Sequence, residues 1–521
     1  MRTGRAFLAA AALAVLTTGA AYVFGPAQVE GTTAAAKPKK KTAADPVASC
    51  TADARYPKRQ LRGVWIATVQ NTDWPSRTGL SVDKQKAEYG KLLDAAAARN
   101  FNAVYVQVRP AADAIYKSPY EPWSRFLTGT AGKDPGWDPL PFLISEAHRR
   151  GLEFHAWFNP YRASYDADVA KLPANHPVKQ HPDWIVKYAD RAYFNPGLPQ
   201  VREHVIKVVK DVVKRYDVDG VHFDDYFYPY PSGNATFDDA AAFTKYGKGK
   251  KLAAWRRDNV NKLVAQVSEA VHETKPYVKF GISPFGIWRN KSDDPTGSDT
   301  SGMSAYDVIY ADARAWIKAG TVDYVIPQLY WPRGFAAADY RALVDWWADE
   351  VEGSGVDLYI GQALYRVGAK DEKAWQRPGE LAAHLALNRK YEQVSGDVFF
   401  NAKLLLSDPL GSMGQVAKQH YARPALLPLI KGVEGEAPAK PAGVRAQGTT
   451  LSWAPSDGAR SYAVYQVPKS GSDCQATDSR NLVAVVTSPS FAAKTPGTYL
   501  ITSLDRSQHE SKPVQVKVDP V

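Results

Sequence analysis

From Leu61 onward, short apolar runs alternate with longer stretches whose apolar residues recur every three to four positions. Eight runs read as strands, at residues 63–69, 103–109, 153–160, 220–226, 279–286, 323–331, 357–365 and 397–405. Several are apolar almost throughout, the pattern of strands buried on both faces of a parallel sheet. Between them, residues 84–99, 141–150, 201–216, 256–274 and 305–319 have helical spacing. Several of these stretches end beside residues that stop helices well, namely Asn100, Gly151 and Gly320. Strand–helix alternation repeated eight times predicts an α/β fold, a (β/α)8 TIM barrel.

Beyond residue 430 the period changes. Residues 435–441 read as a linker, and short β patterns at 450–454, 461–467, 483–486 and 498–503 predict a small C-terminal all-β sandwich. At the other end, Arg2 and Arg5 precede an apolar stretch from Ala6 to about Phe24, which fits an export signal. An uncleaved membrane anchor is the alternative, because the stretch approaches the roughly 20 residues that span a bilayer. The following segment, with Lys37, Lys39, Lys40 and Lys41, holds too few large apolar residues to fold. The expected organisation is therefore signal or anchor at 1–25, linker at 26–58, barrel at 59–432 and sandwich at 433–521. Export permits a disulfide between Cys50 and Cys474, although both could equally be free thiols. Neither sits in a metal-type or catalytic spacing.

Aromatic residues make up 12% of the chain, including 14 Trp and 28 Tyr. Such rings serve either as platforms for sugar rings or as filling for a large core. The formal net charge is +11, and six basic and two acidic residues in the first fifty leave +7 for the rest. That balance suits an acidic cell wall. No recognisable nucleic-acid motif accompanies it, so no nucleic-acid partner is expected.

In a TIM barrel, functional groups gather at the C-terminal ends of the strands. Reading those ends in order gives a ring of amides, aromatics, arginines and a few carboxylates. Arg109, Glu121, His155, Trp157, Asn159, Arg162, His222, Tyr226, Gln328, Tyr330, Trp331 and Gln362 are the candidates to bind substrate. Amides and arginines suit hydroxyl and acetamido groups, and aromatic faces suit pyranose rings. The sharpest local signal is "DVDGVHFDDYFYPYP" at residues 217–231. Side chains alternate along a strand, so one of Asp224 and Asp225 should face the barrel axis and the other should lean toward a loop. Adjacent carboxylates repel, which can raise one pKa and split their roles in glycosidic-bond cleavage. His148 and His155 lack a third ligand at metal spacing, so no metal is expected. No nucleotide-binding glycine loop and no G-x-S-x-G elbow is present, and no cofactor is expected.

The segments "LRGVWIATVQNTDWPS", "VYVQVRPAADAIYKSPYEPWSRFLTG", "HRRGLEFHAWFNPYRAS", "VDGVHFDDYFYPYP", "GISPFGIWRN" and "VDYVIPQLYW" resemble the bacterial glycosyl-hydrolase-like family 10 domain, over residues from about 61 to 430. The resemblance implies an exported TIM-barrel glycosidase. It also implies digestion of peptidoglycan glycan strands that lack stem peptides. The run from Asp219 to Asp224 resembles the fourth-strand motif of amylase-type barrels, whose final Asp is the nucleophile; that points to Asp224. The acid Glu of chitinase-type barrels falls on Tyr226, and the fifth strand, "FGISPFG", carries no acid. The second catalytic group is therefore open between Asp225, the nearest candidate, and Asp113 or Glu121. The stretch "TLSWAPSDGARSYAVYQV", with Trp453 and Tyr462, resembles a fibronectin type III module.

These readings converge on an extracytoplasmic glycoside hydrolase acting on a cell-wall polysaccharide. A wall-binding barrel without catalysis, and a hydrolase of a secreted exopolysaccharide, are the alternatives.

Overall fold

The computed structural model describes residues 56–166, 168–433, 435–467 and 473–520. The N-terminal apolar stretch, nearly all of the basic linker, Cys50 and the Cys474 side chain lie outside the described residues, as do the expectations attached to them.

Strands β1 (Leu61–Ile66), β2 (Ala103–Arg109) and β3 (Glu153–Phe158) lead into an excursion of three short antiparallel strands. These are β4 (Arg162–Ser164), β5 (Ile185–Tyr188) and β6 (Arg191–Phe194). The main sheet continues with β7 (Gly220–Phe223), β8 (Lys279–Ile282), β9 (Tyr324–Val325), β10 (Asp357–Gln362) and β11 (Val394–Phe399). It closes in the order β1-β11-β10-β9-β8-β7-β3-β2, with every neighbouring pair parallel. Each expected run therefore overlaps one barrel strand, although β1 starts two residues earlier than expected and β11 three residues earlier. The run 323–331 shrinks to two residues because Pro327 has no N–H for the ladder. Gln328 then pairs only through isolated bridges to Phe285 and Gly361.

Alternation sorts each strand into an outer face, packed on the helices, and an inner face that fills the barrel. In β3, Phe154, Ala156 and Phe158 join the helix-facing core, whereas Trp157 belongs to the inner cluster with Trp65, Tyr105, Tyr324, Tyr359 and Val398. Glycines make room for these rings. A Cβ on Gly220 would lie 2.2 Å from His155 Nδ1, and one on Gly281 would lie 2.2 Å from the Tyr324 ring.

Among the helices, Val82–Ala97 starts where the Ser81 side chain accepts from the Lys84 N–H, and Pro139–Arg149 starts at Asp138. The expected helix at 305–319 is two helices, Ala305–Val308 and Ala313–Ala319. Between them Tyr310 takes a positive φ of 55°, and the Asp312 side chain accepts from the Ala315 N–H to begin the second. Among the described residues, no helix is long and apolar enough to cross a membrane.

The C-terminal sandwich comprises β12 (Ala442–Gln447), β13 (Thr450–Ala454), β14 (Ser461–Val467), β15 (Leu482–Val486), β16 (Ser490–Ala492), β17 (Gly497–Leu504) and β18 (Val514–Val518). One sheet runs β12-β13-β16 and the other β15-β14-β17-β18. Three of these strands, β12, β16 and β18, are too short or too polar on the surface to stand out in the sequence.

The sandwich sits on the barrel face where the strands begin. Leu426, which follows the last barrel helix, is buried among Tyr465, Leu482, Leu500 and Leu504 of the sandwich. Arg460 and Arg506 reach Asp217, just ahead of β7, at 3.4 and 2.8 Å, and Lys58 pairs with Glu510 at 2.6 Å. At the same end, the Lys279 ammonium donates to both Glu153 oxygens at 2.9 Å.

Candidate active site

The opposite end of the barrel gathers the chemistry. Strand β7 points Gly220 and His222 inward, and continuing that alternation turns Asp224 toward the axis just past the last paired residue. Its carboxylate accepts from Trp157 Nε1 at 3.0 Å, from Asn159 Nδ2 at 3.1 and 3.3 Å, and from the Tyr226 N–H at 3.2 Å. The Asn159 amide is oriented by the Arg162 N–H, which donates to its Oδ1 at 2.8 Å and so leaves the NH2 group facing Asp224. Asp225 takes the other direction. The Tyr230 hydroxyl donates to it, and Gln328, whose amide donates to the Ser283 carbonyl oxygen at 3.0 Å, lies near it from beyond β9.

Both carboxyls are buried, and burial pushes both pKa values up; the Asp225 charge adds to the effect on Asp224, which reaches about 7. Adjacent carboxyls repel, and the repulsion falls on Asp224. Because the Asp225 charge is among the causes that raise Asp224, Asp225 ionises first and Asp224 holds its proton until about neutral pH.

Arg162, on β4, borders this pair. Its guanidinium lies over the Tyr226 ring at 4.2 Å and the Tyr165 ring at 4.6 Å, and donates to the Tyr165 hydroxyl. Burial opposes its charge, but Tyr165, Tyr226, Tyr193 and Asp224 outweigh that and keep it charged. Its buried Nε has no acceptor.

Half-buried rings continue around the mouth. Tyr226 and Tyr230 meet at 5.4 Å, Phe285 and Trp331 at 5.5 Å, Tyr330 and Tyr365 at 5.5 Å, and Tyr365 and Phe400 at 5.9 Å between centroids. Tyr365 is 40% exposed. This rim offers flat apolar faces beside amides and an acid pair, which is what a pyranose chain requires.

Several other candidates from the sequence are engaged elsewhere. Arg109 is fully buried and donates to Glu121 through two hydrogen bonds of 2.7 and 2.6 Å, and also to the carbonyl oxygens of Asn159 and Pro160. It braces the loop after β3. Burial alone would raise the Glu121 pKa, but Arg109 and His204 hold it down at about 2, so this carboxylate makes a poor proton donor. Asp113, pushed up to about 7 by burial, accepts from the Ala111 N–H at 3.0 Å and feels chiefly Ser124, Glu121 and Arg109. Its surroundings are those of the Arg109–Glu121 pair rather than of Asp224.

His155 lies in the lower half of the barrel, between Tyr324 and Glu153 at 3.0 and 3.2 Å, instead of at the mouth. His222 lies inside the barrel one layer below Asp224, where its Nε2 meets Trp65 Nε1 at 3.2 Å and Ser283 Oγ at 3.0 Å. Burial, with His155 nearby, holds its pKa well below the ordinary value, so it stays neutral. Gln362 faces outward; its amide bonds Tyr340, Asp397 and His384 in the helix layer.

Trp157, Asn159, Arg162, Tyr226 and Gln328 do meet at the mouth with Asp224 and Asp225, and Tyr330 and Trp331 form part of the rim. Sequence reading missed Tyr165 and Phe285, which reach the mouth from loops, and passed over Tyr230, which was visible in the aromatic run after Asp225. Among the described residues, no cluster of three or more His, Cys, Asp or Glu side chains could hold a metal ion.

Residues 60–377 match the family described as Glycosyl hydrolase-like 10, and the chain belongs to that family. It is 50% identical over 387 residues to glycosyl hydrolase YngK of Bacillus subtilis (strain 168), covering 74% of this chain and 76% of that protein. It is 42% identical over 369 residues to glycosyl hydrolase DigH of Escherichia coli (strain K12), covering 66% and 83%. Among solved structures, the glycoside hydrolase domain of PgaB (BpsB) from Bordetella bronchiseptica aligns with a TM-score of 0.47 at 13% identity, over 70% of this chain and 99% of that one.

Proposed function

We propose that the protein is an exported hydrolase of glycosidic bonds in a cell-wall polysaccharide, with peptide-free peptidoglycan glycan strands as its substrate. The observation that carries this reading is the buried Asp224–Asp225 pair at the mouth of the barrel, in which Asp224 keeps a proton up to about pH 7. With substrate bound the Asp224 proton passes to Asp225, the general acid, which gives it to the leaving oxygen as the bond to the anomeric carbon breaks. Asp224, held by Trp157, Asn159 and the Tyr226 N–H, presents its charge to the developing oxocarbenium ion as nucleophile or stabiliser. Asp225 then takes a proton from the water that completes hydrolysis. The names of the relatives, both glycosyl hydrolases, agree with this chemistry. The basic balance of the chain suits an anionic wall. The N-terminal apolar stretch serves as export signal or tether, and the sandwich is a fibronectin type III-like accessory.

A second reading, a wall-binding barrel without turnover, is favoured by one feature: the loop after β8 delivers Ser283 and Phe285 to the mouth and no carboxylate. Incubating the purified protein and its Asp224→Asn variant with peptide-free glycan strands, and following released sugars by mass spectrometry, separates the two. Release by the parent that vanishes in the variant supports hydrolysis. Binding by both without release supports the second reading.

A further inference from the structure

We infer that Arg162 forms a subsite for a sugar that carries a free carboxylate, placed next to the bond that is cut. The inference rests on the reading that the barrel mouth binds a glycan, and it names the chemistry that selects the glycan.

A buried guanidinium is costly unless a carboxylate or equivalent acceptors meet it. The other buried arginines near the mouth follow that rule. Arg109 is paired with Glu121 through both oxygens, and Arg256 with Asp239 at 2.6 and 2.8 Å. Arg162 is only 3% exposed, yet among the described residues no carboxylate lies within ion-pair distance of it. Its neighbours are two tyrosine rings and one tyrosine hydroxyl, and its Nε has no acceptor. Rings beside a guanidinium leave its N–H donors in its own plane. That is the geometry in which arginine grips a planar carboxylate with two parallel hydrogen bonds.

The location ties this group to the reaction. The backbone N–H of Arg162 orients the Asn159 amide, and that amide holds Asp224. The Tyr226 ring under the guanidinium belongs to the residue whose N–H also bonds Asp224. A ligand carboxylate on Arg162 would therefore sit beside the acid pair. It would give Arg162 a directly hydrogen-bonded carboxylate, in addition to the more distant charges of Asp224 and Asp225, only when the substrate is bound.

Two kinds of sugar carry such a group, an amino sugar with an ether-linked lactic acid and a hexuronic acid. A neutral amino-sugar polymer has none, and amide coupling of the lactyl group to a peptide removes the charge. Recognition of the acid and rejection of the peptide-substituted strand would then be one event.

The test measures binding by calorimetry, with the full chain and four tetrasaccharides of equal length. One alternates N-acetylglucosamine with N-acetylmuramic acid bearing free lactyl carboxylates. The second is the same compound with those carboxylates converted to methylamides. The third is the N-acetylglucosamine tetramer, and the fourth contains hexuronate. The parent is expected to bind a carboxylate probe about 30-fold or more tighter than the methylamide and the neutral tetramer. Whether the lactyl or the hexuronate probe shows that preference identifies the source of the carboxylate. Arg162→Gln should bring acid and amide within about threefold of each other, and Arg162→Lys should keep part of the preference, because charge survives without the planar fork.

Equal binding of acid and amide by the parent, no binding of any probe, or an equal loss on all probes in Arg162→Gln would overturn the inference. If Arg162→Gln does not fold, the parent's acid-to-amide ratio and Arg162→Lys decide. Because the readout is binding, preference without sugar release would remove the hydrolase reading and leave this one standing. Release without preference would do the reverse.

Discussion

Glu153 and Asp224 are both carboxylates buried on strands of the same barrel, yet their surroundings are opposite. Glu153, at the end where the strands begin, lies between the Lys279 ammonium and His155. Burial would raise its pKa, but those partners hold it down at about 2. Around it the charges are matched. His148 donates to Asp219 at 2.6 Å and accepts from Arg460 of the sandwich at 2.7 Å. Asp224, at the other end, has neutral donors and a second carboxyl beside it, and its pKa rises to about 7. The nearby Arg162 lowers both carboxyls only partly and forms no direct ion pair with either. Charge at the lower end thus holds the fold together, whereas charge at the mouth is only partly matched, at some cost in stability. Such a cost is expected where a site waits for its ligand or its transition state.

The largest effect should come from the mouth. Asp224→Asn is expected to lower kcat on glycan strands by about 1,000-fold or more without lowering the melting temperature, read by sugar release and by thermal denaturation. At the lower end, Glu153→Gln should do the opposite. Leaving Lys279 buried without its partner should cost about 3–5 kcal/mol in urea unfolding, with turnover per folded molecule unchanged.

The pH dependence of stability should separate the ends again. The Asp224 carboxyl is harder to ionise in the fold than in the unfolded chain, so its stabilising effect is present at low pH and is lost as pH rises from about 4 through 7. A shift of this size corresponds to a few kcal/mol at most, on the order of 1.4 kcal/mol per unit. Glu153 is shifted the other way, so its contribution is lost as pH falls through about 4 toward 2. Urea titrations across pH should show both slopes. Asp224→Asn should flatten the neutral one, and Glu153→Gln the acid one.

The smallest change belongs to the covered face. Asp217 is 41% exposed, so Arg506→Ala should cost no more than about 1 kcal/mol.

The barrel was legible because parallel strands covered on both faces leave unbroken apolar runs, and the helices between them keep their own period. Asp224 and Asp225 were legible because two acids close an apolar run at a position where strands meet the mouth. Gln362 was misplaced because a strand end can face either way until its register is known; Tyr359 faces inward, so Gln362, three residues on, faces out. His155 was misplaced for a related reason, since it faces inward but too low on its strand. The Arg109–Glu121 pair spans twelve positions through an irregular loop, and no periodicity marks such a contact. Tyr165 and Phe285 come from loops whose path depends on packing rather than on local pattern.

Leu426 carries a consequence of another kind. It arrives from the barrel's last helix but completes the apolar interior of the sandwich, while Lys58 and Gln60 hold its backbone from the other side at 2.8 Å each. Two folded parts on a free tether lose structure independently on heating. Parts that share an interior residue and a row of cross-bonds lose it together. Calorimetry on the whole chain should therefore record one endotherm rather than two, with the sandwich acting as the floor of the barrel and not as a passenger.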